Sequence, residues 1–202
     1  MTWGRLGRFA LAALLLCVGG SRAEAHLVTT GLGPVYDGVA HLALSPADVA
    51  LVVAVVFLAA MRGARHGCWL LGLLPTAWLL GGVVGLMFPA NANPGWTIGL
   101  SFLLVGGLVA ADRNLPLPVV SGVVTGLGSF HGYVTGAALS ATPSAGLELT
   151  GEWVALIVVA TLIAGLVVSL RAFWARVVVR VLGSWIAATG LLLIGWSFRN
   201  GG

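Results

Sequence analysis

Apolar residues in this chain fall into long blocks rather than helical stripes. The blocks cover roughly residues 47–62, 68–88, 96–111, 117–140, 152–170 and 177–197. Each approaches the ~20 residues that a helix needs to cross about 30 Å of hydrocarbon. A lipid-spanning segment must also satisfy its own backbone, which favours helices. The pattern predicts an all-α membrane protein, a compact bundle of six transmembrane helices. A shorter block, Phe9–Val18, is preceded by Arg5 and Arg8 and followed by Ala23-Glu24-Ala25. A positive start, a short apolar stretch and a small-x-small site describe a secretory signal peptide. The expected organisation is therefore a signal over 1–25, cleaved after Ala25, and one membrane domain over 26–202, with an uncleaved anchor as the alternative.

Polar residues between the blocks orient them. Arg62 and Arg65 separate the first two, Arg113 the third and fourth, and Arg171 and Arg176 the last two, with Arg180 one turn on. Only Arg199 falls on the other side. The positive-inside rule makes the arginine-rich side cytoplasmic. Both ends of the mature chain then face outward, which agrees with an exported signal. Trp69, Trp96, Trp153, Trp174 and Trp196 sit near block ends, as an interfacial belt would. Trp78 and Trp185 fall mid-block and are expected between helices. The chain has 30 glycines. The pairs Gly81/Gly85, Gly122/Gly126 and Gly132/Gly136 would let membrane helices approach closely.

Composition agrees. Only 8% of residues are charged and 59% are hydrophobic, against about 25% charged in soluble domains. That excludes a soluble enzyme, a disordered chain and a nucleic-acid-binding domain. Cys17 lies in the signal region and Cys68 is alone, so no disulfide framework or Cys-based metal site is available.

Ionisable residues inside a membrane domain are costly and point to function. His131 lies near the middle of the fourth block, in Phe130-His131-Gly132-Tyr133-Val134-Thr135-Gly136, with Thr135 on its face. It reads as a metal ligand or proton relay, or as an interhelical hydrogen bond. The segment before the first span carries Asp37, His41 and Asp48, on a short outer helix. On one continuous helix their offsets of four and seven residues return to within about 40° of one face. Such a carboxylate–imidazole–carboxylate stripe suits nickel, cobalt or zinc. A local alternative exists: Ser45-Pro46-Ala47-Asp48 also describes a helix start, with Ser45 as cap, Pro46 next and an acid in the first turn. Asp48 then serves the cap. His26 as a new N-terminus would pair an α-amine with an imidazole, a chelate for copper or nickel. His66, Glu148 and Glu152 are expected to be solvated.

At these residues the chain resembles the HupE/UreJ family of small bacterial membrane proteins. Ala25-His26 with Thr30-Gly31-Leu32-Gly33 is similar to the family's start. Phe130 to Gly136 is similar to its second motif, Phe-His-Gly-x-(Ala/Val)-x-Gly-x-Glu, whose closing glutamate falls on Ala138 here. The first motif, His-x5-Asp-His, is one residue longer between His41 and Asp48, and Val49 replaces its second histidine. The resemblance implies six spans and uptake of nickel or cobalt linked to maturation of a metalloenzyme such as hydrogenase or urease. The expected metal residues are His131, His41, Asp48, Asp37 and His26. Alternatives are a non-transporting metal-binding accessory protein or chaperone and, third, a membrane enzyme. An enzyme is not expected, because no nucleophile motif accompanies the histidines.

Overall fold

A computed structural model describes residues 29–89, 95–169 and 173–200. The expected signal segment and His26 lie outside the described residues. Those residues form seven helices: α1 Pro34–Leu44, α2 Pro46–Ala60, α3 Ala64–Met87, α4 Gly95–Ala111, α5 Leu117–Leu139, α6 Ala145–Ser169 and α7 Phe173–Asn200. By length and composition, segments within α3, α6 and α7 are apolar enough to cross a membrane. The pair α1 and α2 passes the same test together, across a 72° bend, and α4 is a shorter apolar helix.

The bend has a local cause. Ser45 leaves helical geometry (φ −89°, ψ 97°) and Pro46 follows. A residue before proline is pushed out of the α region, and proline is well placed at a helix start. Ser45 Oγ accepts from the Asp48 backbone N–H at 3.4 Å and donates to Asp48 Oδ2 at 2.5 Å. The cap-and-start reading of Ser45–Asp48 therefore describes the chain. The single continuous helix through Asp37, His41 and Asp48 does not exist.

Helix α2 is the centre of the bundle. Leu51, Val52 and every residue from Ala54 to Ala60 are buried, as expected of a helix that is apolar all round. Around it the closest pairs are α3 with α5, α4 with α7, and α1 with α6. Glycines make these pairs. A methyl at Gly81, Gly132, Gly85 or Gly136 would strike backbone of the facing helix in the α3–α5 pair. Gly99, Gly106 and Gly190 do the same between α4 and α7, as do Gly38 and Gly151 between α1 and α6, and a methyl at Gly183 would strike the Val109 side chain on α4. Gly122 and Gly126 face open space instead, so that pair packs nothing.

Two connections and the start of α7 meet at one end. Arg62 bonds the carbonyl of Leu58 and, at 2.5 Å, that of Arg113. Arg176 pairs with Asp112 at 3.2 Å, and Arg180 bonds the Ala110 carbonyl at 3.0 Å. The α2–α3 and α4–α5 junctions and the first turns of α7 are thereby drawn together. Large apolar side chains cover the outside of α7, including Leu191, Leu192, Trp196 and Phe198. Trp185, expected between helices, is among the exposed ones, because the glycines that make the α4 contact lie on another face of α7.

Candidate metal site

The close pairing of α1 and α6 creates the site. The missing side chains of Gly38 and Gly151 let each backbone rest against the carbonyl of the other helix, at Glu148 and Val35. His41 follows Gly38 by three residues, and Glu152 follows Gly151 directly. His41 Nδ1 stands 3.6 Å from Glu152 Oε2. That is too long for a hydrogen bond, and both atoms are buried without another hydrogen-bond partner. Asp48 joins them from the first turn of α2: one ligand atom from each of His41, Asp48 and Glu152 lies within 4.8 Å of the others.

Each carboxylate also has one oxygen held by a neighbouring side chain. Glu152 Oε1 accepts from the Trp78 indole N–H at 3.2 Å. Asp48 Oδ2 accepts from Ser45 Oγ. Glu152 and Trp78 are both fully buried. A second indole bond runs the opposite way between the same helices: Trp153 on α6 donates to the Pro75 carbonyl on α3 at 3.1 Å.

His131 adjoins this set from α5. Its Nδ1 is 3.3 Å from Asp48 Oδ1, and its Nε2 is 2.9 Å from Ser101 Oγ. The Ser101 hydroxyl has one proton, and it is directed at the Ile98 carbonyl, 2.7 Å away. In the tautomer protonated at Nε2, Ser101 accepts from His131. Nδ1 then meets Asp48 with a second proton, as an ion pair, or with a lone pair that a shared cation would satisfy. Phe102 stacks on the imidazole at 6.5 Å, Phe130 meets it edge-on at 5.3 Å, and Trp78 lies at 6.1 Å. These rings fix its orientation. Gly132 makes room for the arrangement, because a methyl there would strike the Trp78 carbonyl.

Of the residues picked out from sequence, His41, Asp48 and His131 come together. Asp37 does not join them. Its Oδ1 accepts from the backbone N–H and hydroxyl of Thr30, at 2.6 and 2.7 Å, and closes the turn before α1. Glu152, expected to be solvated, is instead fully buried. The apolar block begins at 152, which placed this acid at a span edge. Helix α6 begins seven residues earlier, at Ala145, so Glu152 sits about 10 Å along it. An ionisable residue at the head of an apolar block was the available signal. Trp78 and Ser101 carried none as ligand-holding groups.

The donor set has a definite chemistry. Two atoms each ~2.1 Å from one tetrahedral centre are about 3.4 Å apart, close to the His41–Glu152 separation. Two carboxylates would neutralise a divalent ion, and imidazole nitrogen adds the borderline softness that transition metals favour.

The family described as HupE / UreJ protein matches residues 13–193. Protein HupE of Rhizobium leguminosarum bv. viciae is 32% identical over 195 residues, covering 91% of this chain and 94% of that protein. No solved structure matches.

Proposed function

The chain belongs to the HupE/UreJ family, and from that premise we propose that it takes up a divalent transition-metal ion, nickel or cobalt, across the bacterial inner membrane. One observation carries the reading: two buried, unpartnered atoms, His41 Nδ1 and Glu152 Oε2, face each other 3.6 Å apart beside Asp48. Buried polar atoms are normally satisfied, and a cation satisfies both at once.

In this reading the ion is cargo. The six apolar helices α2 to α7 span the bilayer, with α1 bent over the outer surface. The arginine-rich end is cytoplasmic, and the His41–Asp48–Glu152 end opens to the periplasm. Both termini are periplasmic, after a cleaved signal. The ion exchanges water for His41, Asp48 and Glu152, and His131 takes it over through the shared Asp48. Beneath the site, the buried apolar face from Leu51 to Ala60 closes the way inward. Release to the cytoplasm therefore requires α2 to move against its neighbours. A membrane potential negative inside favours a divalent cation by about 4.6 kcal/mol per 100 mV.

Accumulation of radioactive nickel or cobalt in cells expressing wild type and His41→Ala tests this. Wild type should exceed vector-only cells, and His41→Ala should not. Equal accumulation in all three overturns the uptake reading. Metal bound by the purified protein without flux into liposomes would assign it instead to metal binding for enzyme maturation.

A further inference from the structure

Glu152 has two carboxylate oxygens, and only one faces the proposed ligands. Oε1 is taken by the Trp78 indole N–H at 3.2 Å, while Oε2 points at His41 Nδ1, 3.6 Å away. The indole has one donor and no acceptor. It can hold Oε1 but cannot itself bind a metal. Both side chains are fully buried, so water does not replace either partner.

Trp78 is enclosed on several sides. Its backbone carbonyl abuts Gly132 on α5, and its ring lies beside His131. One helical turn earlier, Pro75 accepts the indole bond of Trp153. Helices α3 and α6 are thus tied twice, by Trp78 to Glu152 and by Trp153 to Pro75. The indole N–H cannot follow the carboxylate if that group rotates.

We infer that Trp78 is a specificity-determining positioning residue, whose indole N–H holds Glu152 to one-oxygen coordination of the ion. This rests on the proposed metal site. Its consequence is discrimination by coordination number. Calcium gathers six to eight oxygens and readily takes carboxylates through both oxygens. A carboxylate with one oxygen already engaged suits a smaller set of nitrogen and oxygen ligands, the kind that cobalt and nickel accept. Ser45 acts in the same sense on Asp48, engaging Oδ2 at 2.5 Å. With both carboxylates so restrained, the site offers too few oxygens for calcium.

The test uses the purified full-length protein in detergent. Cobalt(II) is titrated by its visible ligand-field absorption, with and without excess calcium, and thermal unfolding is followed alongside. Wild type should bind cobalt and resist calcium. Trp78→Phe removes the donor and keeps a ring. It should weaken cobalt binding about ten- to a hundredfold, alter the cobalt bands and let calcium compete. A Trp78→Phe protein with wild-type bands, affinity within twofold and the same resistance to calcium overturns the inference and leaves the metal site standing. No cobalt binding by wild type overturns the metal site, and the inference with it. If Trp78→Phe does not fold, Glu152→Gln decides. That variant keeps an oxygen for the indole and should lose cobalt binding. Wild-type binding by Glu152→Gln removes Glu152 from the ligand set and overturns the inference.

Discussion

Asp48 and His131 are 83 positions apart in sequence and 3.3 Å apart at Oδ1 and Nδ1. One comes from the first turn of α2, the other from the middle of α5. Asp48 also lies within 4.8 Å of the ligand atoms of His41 and Glu152. Asp48 thus lies next to both His41 and His131.

Removing His131 should therefore impair uptake without dissolving the outer triad. In His131→Ala, metal accumulation in cells should fall at least tenfold. Cobalt affinity of the purified protein should fall less, because His41, Asp48 and Glu152 remain. Uptake equal to wild type would take His131 out of the path.

Close helix approach makes a paired prediction. Gly132→Ala places a methyl against the Trp78 carbonyl, while Gly122→Ala meets nothing within 4 Å. Overpacking of this kind costs roughly 1–3 kcal/mol. Gly132→Ala should lower the thermal unfolding midpoint in detergent. Gly122→Ala should be neutral or stabilising, by up to about 1 kcal/mol, since alanine is the better helix former. Equal midpoints for the two variants would contradict the α3–α5 packing.

Ser45 serves both the helix start and the site. Ser45→Ala removes the α2 cap, worth about 1 kcal/mol, and frees Asp48 Oδ2. Both thermal stability and cobalt affinity should drop. Ser45→Thr keeps the hydroxyl and should recover most of each.

The proposed orientation is open to thiol labelling. In a background with Cys17 and Cys68 changed to serine, Arg65→Cys and Ala141→Cys put single thiols at exposed positions near opposite ends of the bundle. An impermeant maleimide added to spheroplasts should label position 141 directly and position 65 only after permeabilisation. The reverse pattern would invert the topology.

Hydropathy located helices well and the site partly. The blocks at 47–62, 96–111 and 117–140 match α2, α4 and α5 to within a residue or two, because the cost of polar groups in an apolar span is local. The Ser45 cap was legible for the same reason. His41, Asp48 and His131 were legible as expensive residues. Their convergence was not, since it depends on Gly38 meeting α6 and Gly132 meeting α3, contacts with no trace in local pattern. Asp37 was grouped with His41 through a continuous helix that the Ser45–Pro46 break interrupts. Glu152 was misplaced because a hydropathy block marks where apolar residues begin, which differs from where α6 begins. Trp78 and Trp185 look alike in sequence, each mid-block. Only the packing of α3 and α7 separates the buried one from the exposed one.

The site draws on α1 through α6, and its two unpartnered atoms belong to His41 and Glu152, 111 positions apart. A ribosome adding about 5–20 residues per second needs roughly 6–22 s to travel between them. During that interval the nascent chain holds an incomplete set of the proposed ligands. Under the proposed function, metal capture is a property acquired late in biogenesis, after the sixth helix has been delivered and docked. A chain stopped before α6 leaves His41 and Asp48 without their third partner.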